Sequence, residues 1–376
     1  MKIGIDARLA LYEPHGMPRY VIYFLRELEK LDTANTYILY IDKEDTDGVL
    51  PSRFEKKILS PANYMIWEQL ALPQAAHRDR IDILHCPGNT GPLFFDSSIK
   101  LVMTIHDLMF MDNENADLRP GNLYQRLGKQ YRKSVVSNVI KKASAIMTDS
   151  HFSHSEFGRY FPSFQLPVSV VHLGCEFPDY PDVRASIILQ KYNIMKPFIL
   201  SFGGIAPRKN TKRIIELFSQ IRNMPDVQLV ITGIPQAYRR EFEGLALECG
   251  VEKMIVFLPL IQEVELVTLL RSATLFLFLS KYEGFGLPVL EAMSCGVPVI
   301  ASNRTSIPEL MGNEGVIVDP DDENKVISSI NHLLQISEIE RERICSSSKN
   351  WSKKFSWKQT ANQILSVYNT VGPTIR

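Results

Sequence analysis

Short apolar runs alternate with amphipathic stretches along almost the whole chain. Ile3–Asp6, Tyr37–Ile41, Ile81–His85, Leu101–Ile105, Ala145–Thr148 and Val168–His172 read as strands. Amphipathic stretches lie between several of them, the clearest from Arg19 to Leu31. This pattern predicts a parallel sheet with helices on both faces. The rhythm breaks at Pro178-Asp179-Tyr180-Pro181-Asp182, where two prolines and two acids mark a linker. A second series follows: Phe198–Phe202, Val227–Thr232, Ile255–Leu258, Leu275–Leu279, Val297–Ala301 and Val316–Val318. The fold class expected is therefore α/β, with two doubly wound Rossmann-like domains, residues 1–180 and 181–355, facing each other across a cleft. A last amphipathic helix, Ser356 to Tyr368, lies in a tail of residues 356–376 that packs back on the first domain.

The chemistry concentrates after the run Leu275–Leu279. There Glu283-Gly284-Phe285-Gly286-Leu287-Pro288 leads towards Glu291, with Gly296 and Pro298 closing the helix. A helix start with free N–H groups and the positive end of its dipole is an anion site. An acid on each side of it fits a ligand with phosphate in the middle and hydroxyls at both ends, as in a nucleotide sugar. Gly284 and Gly286 leave room for such a ligand. The plain alternative is a loop acid followed by an acid that stabilises the helix.

Three further stretches bear on the same chemistry. Ser201-Phe202-Gly203-Gly204 ends a strand, and Arg208-Lys209 opens the next helix. Two cations there oppose the dipole unless an anion joins them, so they either stabilise a departing diphosphate in place of a metal or are ordinary surface charge. His106 follows the strand ending at Ile105, where α/β domains present side chains to ligand; a structural histidine, or capping by Asp107, is the alternative. Gly16, in the loop Tyr12–Tyr20, leaves the backbone open to a phosphate or simply makes a turn.

Composition narrows the choice of partners. At 376 residues, two domains are the prior. With 42 Lys+Arg against 42 Asp+Glu the net charge is +0, so no nucleic acid is expected to be held by bulk electrostatics. No apolar run approaches the roughly 20 residues that span a bilayer, and the start reads as a first strand rather than a signal peptide. The five cysteines are scattered without metal spacing, as in a reduced, cytoplasmic protein. Asp45-Thr46-Asp47 has the D-x-D form of a divalent-ion site, but it lies in a hydrophilic turn, and no metal is expected. Residues 118–142 carry seven cations and no acid, with Tyr124 and Tyr131 between them. They form either a solvated helix face or a peripheral contact with an anionic membrane or a lipid-diphosphate acceptor.

At these residues the chain resembles a family, the retaining GT-B glycosyltransferases of family 4, also called glycosyl transferases group 1. The resemblance spans nearly the whole chain. Its sharpest part is E-x7-E, Glu283 through Glu291, supported by Pro207-Arg208-Lys209-Asn210, Ile105-His106-Asp107, Asp149–Ser153 and Ile3–Arg8. The opening and the Pro-Arg-Lys-Asn run look most like bacterial polysaccharide mannosyltransferases. The resemblance implies that residues 1–180 are the acceptor-side domain and 181–355 the nucleotide-sugar-binding domain, with Glu283 contacting donor-sugar hydroxyls, Glu291 the ribose, and Arg208 and Lys209 the diphosphate. It implies that the backbone at Phe285, Gly286 and Leu287 meets sugar and phosphates, that Gly203 and Gly16 lie near the donor, and that His106 lines the sugar side. It implies no cofactor. The donor would be a nucleotide sugar, GDP-mannose first and a UDP-sugar second, and the acceptor a glycan or polyprenyl-diphosphate-linked glycan in polysaccharide or lipopolysaccharide biosynthesis. Where many relatives have Gly-Arg after the strand, this chain has Gly203-Gly204, which leaves Arg208 as the anion-stabilising arginine. A phosphorylase or sucrose-type synthase, and a non-catalytic sugar-nucleotide-binding subunit, are the rival functions. A dinucleotide dehydrogenase is disfavoured because no G-x-G-x-x-G follows the first strand.

Overall fold

A computed structural model describes residues 1–12, 16–112, 123–177, 180, 185–221 and 226–372. These fall into two compact units. One comprises the described residues up to Gly174 together with those from Phe355 onward; the other is Cys175–Lys354. Of the Pro178–Asp182 run only Tyr180 is among the described residues.

The first unit is built on seven strands, β1 (Lys2–Asp6), β2 (Thr36–Ile41), β3 (Glu55–Ile58), β4 (Ile83–Cys86), β5 (Lys100–Ile105), β6 (Ala145–Thr148) and β7 (Val168–Val170). Their order is β3-β2-β1-β4-β5-β6-β7, and every pairing is parallel. The central strands are apolar on both faces because helices cover both: Ile3, Ile5, Ile38, Leu39, Ile83 and Leu84 are all fully buried. The helix Met17–Leu31 buries Tyr20, Val21, Phe24, Leu25 and Leu28, one stripe at helical spacing. It packs on the helix Trp357–Val371, where the Trp357 ring stacks on Tyr23 with centroids 5.2 Å apart. Strand β3 is not among the strands expected from the sequence. Its residues Glu-Lys-Lys-Ile lie at the sheet edge and are mostly exposed, so they carry no apolar alternation.

The second unit has six strands, β8 (Phe198–Phe202), β9 (Gln228–Thr232), β10 (Ile255–Leu258), β11 (Leu275–Phe278), β12 (Val299–Ser302) and β13 (Val316–Val318). Their order is β10-β9-β8-β11-β12-β13, again all parallel. In each sheet the order reverses once, between β1 and β4 and between β8 and β11. The crevice beyond the carboxyl ends at such a reversal is where ligands of doubly wound sheets bind. Among the described residues no helix is long and apolar enough to cross a membrane.

Candidate active site

In the second unit three segments meet at the reversal between β8 and β11. Strand β8 runs into Gly203, whose N–H donates to the Thr232 carbonyl at 2.9 Å. A Cβ there would lie 2.5 Å from Ile231 Cγ2, so the position takes no side chain. The Thr211 hydroxyl donates to the Gly204 carbonyl at 2.9 Å and accepts from its N–H at 3.0 Å, which pins the loop. Arg208 and Lys209 do not open the following helix, as the sequence led us to expect. They occupy a 3-10 turn, Pro207–Lys209, and Asn210 at φ 59° separates it from the helix Thr211–Phe218. Asparagine tolerates that left-handed conformation, and its side-chain amide donates to the Leu279 carbonyl at 3.1 Å. The Arg208 carbonyl in turn accepts from Lys281 N–H at 2.7 Å. The cationic turn is thus bound to the exit of β11.

That exit carries Glu283. Its Oε1 accepts from Ser280 Oγ at 2.7 Å, Lys209 Nζ at 2.8 Å and Arg208 Nη1 at 3.2 Å. Its N–H donates to Thr305 Oγ1 at 3.1 Å, and its carbonyl accepts from the Ser306 hydroxyl at 3.0 Å. Burial alone would raise the Glu283 carboxyl, but the charges of Lys209 and Arg208 hold it below its ordinary range. Two cations thus meet on one carboxylate oxygen. The Lys209 ammonium also lies 5.4 Å from the centroid of the Phe278 ring.

Beyond Glu283 the chain turns at Gly286, φ 108°, into the helix Leu287–Cys295, which no side chain caps. A side chain at Gly286 would be strained and would meet Ile307 Cδ1 at 2.5 Å. Gly296 closes the helix in the left-handed conformation, as the sequence pattern predicts. Phe285 and Leu287 are buried beside the turn, and Glu291 lies on the buried side of the helix, 3 % exposed. The structure therefore joins Glu283, Arg208 and Lys209 directly and sets Gly203, Phe285, Gly286, Leu287 and Glu291 on the segments around them. Sequence reasoning missed Ser280, Thr305 and Ser306, the hydroxyl groups that fix this turn. Their only signal was position, at the ends of β11 and β12.

In the first unit Gly16 stands at φ 62° ahead of the helix Met17–Leu31, which has no side-chain cap and no acid in its first turn. Glu13, Pro14 and His15 of the same loop lie outside the described residues. His106 is 7 % exposed. Its Nδ1–H donates to Asp149 Oδ2 at 2.6 Å and its Nε2–H to the Pro87 carbonyl at 2.8 Å. Both partners are pure acceptors, so the ring carries both protons. Burial opposes that charge, yet the Asp149 carboxylate raises the His106 pKa. The backbone is held as well, with His106 N–H donating to Asn89 Oδ1 at 2.6 Å and the Ser153 hydroxyl to the His106 carbonyl at 2.9 Å. Neighbouring His85 stays neutral: burial first, then the charge on His106, push its pKa down to about 3.

The D-x-D run serves its turn. Asp45 accepts from Val49 N–H at 2.8 Å, Leu50 N–H at 3.1 Å and Lys56 Nζ at 2.8 Å. In the basic stretch, residues 118–122 and the side chains of 123–127 lie outside the described residues. The remainder is the helix Leu123–Val139 and the turn Ile140–Lys142. Val135, Val136, Val139 and Ile140 are buried in the core, while Arg132, Lys141 and Lys142 are exposed. Lys142 lies 4.6 Å from the centroid of the Phe94 ring, which is itself 76 % exposed.

Two family models divide the chain between them. Residues 14–176 match "Glycosyltransferase Family 4" and residues 187–351 match "Glycosyl transferases group 1". The chain belongs to glycosyltransferase family 4. Among curated relatives, the chain is 31% identical over 245 residues to the O-antigen chain mannosyltransferase B of Escherichia coli, covering 64% of each chain. It is 32% identical over 197 residues to the serotype-specific mannosyltransferase WbdA of Escherichia coli, 50% of this chain and 24% of that one. The chain thus spans less than two thirds of the length of these relatives. Among solved structures, sucrose-phosphate synthase from Thermosynechococcus elongatus has the same GT-B fold, with TM-score 0.75 and 19% identity over 99% of both chains. So does Alr3699/HepE of Anabaena in complex with UDP and glucose, with TM-score 0.71 and 17% identity over 98% of this chain and 100% of that one.

Proposed function

We propose that this glycosyltransferase moves a hexose from a nucleotide diphosphate sugar to a hydroxyl of a glycan or lipid-linked glycan, retaining the anomeric configuration. The observation that carries this is the Arg208–Lys209–Glu283 cluster beside the uncapped helix start at Gly286. Its two cations suit a diphosphate, and its carboxylate suits sugar hydroxyls. At rest Glu283 keeps both cations in place. A diphosphate drawing Arg208 and Lys209 to itself frees Glu283 Oε1 for the sugar. In the transfer, the bond from the anomeric carbon to the diphosphate oxygen breaks and a bond to the acceptor oxygen forms on the same face. The acceptor's proton passes to the departing diphosphate, whose growing charge Arg208 and Lys209 stabilise. The rest of the enzyme's contribution is alignment.

Glu291 takes the ribose hydroxyls, and the backbone from Phe285 to Leu287 lies along sugar and phosphates. Gly203 keeps the floor free of side chains. Gly16 leaves the start of its helix open to phosphate. His106, with both ring nitrogens engaged, fixes the Pro87–Asn89 loop, and its Nε2–H reaches a hydroxyl only by leaving Pro87. GDP-mannose is the donor we favour, since the relatives at about a third identity are named mannosyltransferases; a UDP-sugar is the second choice. The place of work is the cytoplasm, at the inner face of an anionic membrane touched through the 118–142 stretch.

The test is product analysis. Purified protein is given GDP-mannose or UDP-glucose with a panel of glycosides, and the product's anomeric configuration is read by NMR. Release of nucleotide diphosphate with formation of a retained glycoside is expected. A sugar phosphate formed only when inorganic phosphate is the acceptor would make the enzyme a phosphorylase, and no turnover with any donor would contradict catalysis.

A further inference from the structure

At the reversal between β1 and β4 in the first unit, four ionic side chains are buried that the transfer step above does not use. Asp6 ends β1, Arg8 follows it, Asp42 follows β2, and Glu68 precedes β4. All four are at most 9% exposed. The Arg8 guanidinium lies 3.5 Å from the Asp6 carboxylate, with its central carbon 4.5 Å from the Tyr64 ring centroid and 4.4 Å from that of Trp67. Glu68 is fully engaged, accepting from Tyr131 at 2.7 Å, Tyr64 at 3.2 Å and the Thr90 hydroxyl.

Asp42 is not. Its Oδ2 accepts from the Tyr12 hydroxyl at 2.6 Å, while its Oδ1 is buried with no donor. A buried carboxylate oxygen without a donor is costly, and native proteins seldom keep one without a use. The Trp67 indole N–H is likewise buried without an acceptor. The cluster thus holds one acceptor in want of a donor and one donor in want of an acceptor. Tyr12, 50% exposed, is the member that faces solvent.

The sign of the charge is as informative as the unfilled bonds. Three carboxylates stand against the Arg8 guanidinium and the Lys43 ammonium, the latter 4.5 Å from the Tyr12 ring centroid. Burial first, then the charges of Glu68 and Asp42 working against Arg8, push the Asp6 carboxyl up to about 6. An anion entering here is repelled. A ligand rich in hydroxyl groups supplies the donors that the carboxylates want. A few convergent polar groups among aromatic walls, beyond the carboxyl ends of a parallel sheet, are the ordinary makings of a small-molecule site.

We infer that this cluster seats the terminal residue of the acceptor and selects a neutral, hydroxyl-rich sugar over one bearing a carboxylate or phosphate. Asp42 Oδ1 is the atom that takes its hydroxyl. The inference rests on the transferase function proposed above and narrows it to an acceptor class.

The test is saturation-transfer NMR with methyl glycosides of mannose, galactose and N-acetylglucosamine and with methyl glucuronide, on wild type and Asp42→Asn, with GDP and UDP binding measured on the same samples. At least one neutral glycoside is expected to bind at least tenfold tighter than the glucuronide. Asp42→Asn is expected to lose at least tenfold of that affinity with nucleotide binding unchanged. Where Asp42→Asn fails to fold, Tyr12→Phe at its half-exposed position removes the bond that orients Asp42, and a loss of at least threefold is expected. The inference is overturned if no neutral glycoside binds, if the glucuronide binds as well as they do, or if the folded variant keeps wild-type affinity. Absence of nucleotide binding by the wild type would contradict the transferase function instead, leaving the glycoside result to be judged by itself.

Discussion

Glu283 shows how one side chain links stability to chemistry. It is largely buried, its side chain 12% exposed, yet ionised, because Lys209 and Arg208 lie at hydrogen-bond distance. Its folded pKa is lowered, so its contribution to stability is present above the ordinary glutamate range and is lost as the pH falls through the folded value. The same pairing supports the fold: removing both cations strips a largely buried carboxylate of its charged partners, which costs about 3–5 kcal/mol. We predict that Arg208→Met/Lys209→Met lowers kcat by about a hundredfold or more, the scale of losing transition-state charge stabilisation, while the donor KM rises by a smaller factor. Steady-state kinetics on protein shown to be folded by circular dichroism decides this, and wild-type kcat in the double variant would remove the cations from the reaction. The acids and cations were legible in the sequence as a motif. Their pairing with each other was not, because it joins residues 74 and 75 positions apart through the exit of β11. His106 was legible as a residue at a strand end, but its double engagement required Asp149 and Pro87, which only the fold brings to it.

At the scale of elements, the strands apolar on both faces announced themselves, since a parallel sheet buries its central strands completely. The edge strand β3 did not, for three of its four residues are exposed and only Ile58 is apolar. The 3-10 turn at Pro207–Lys209 was hidden for a different reason. Its end depends on the left-handed Asn210, and that conformation is stabilised by a bond to Leu279, far along the chain. The turn Ile140–Lys142 carries a prediction of its own. Lys141 and Lys142 are exposed, and Lys142 lies against the Phe94 ring, a pairing of charge and ring suited to the surface of an anionic bilayer. Each such cation is worth about 1 kcal/mol near an anionic surface. Lys141→Ser/Lys142→Ser/Phe94→Ser is therefore expected to lose at least tenfold in binding to phosphatidylglycerol vesicles in a sedimentation assay, and to keep its affinity for GDP. Equal sedimentation of variant and wild type, or none by either, would dismiss membrane contact through this turn.

Over the whole molecule, two units repeat one device: a parallel sheet whose strand order reverses once, with polar side chains gathered where it reverses. In the second unit that gathering is compact in sequence around Glu283 to Glu291, which is why it could be read from a single stretch. In the first unit it draws on residues 6, 8, 42 and 68, and no local pattern joins them. Both lie where doubly wound sheets receive ligands. The central claim is that the second unit grips a nucleotide diphosphate with Arg208 and Lys209 and its ribose with Glu291. Calorimetric titration of GDP and UDP into the wild type, Glu291→Ala and Arg208→Met/Lys209→Met tests it most directly. Wild type is expected to bind at least one of the two nucleotides, and each folded variant to bind it at least tenfold more weakly. Undiminished affinity in both variants, or a wild type that binds neither nucleotide, would contradict it.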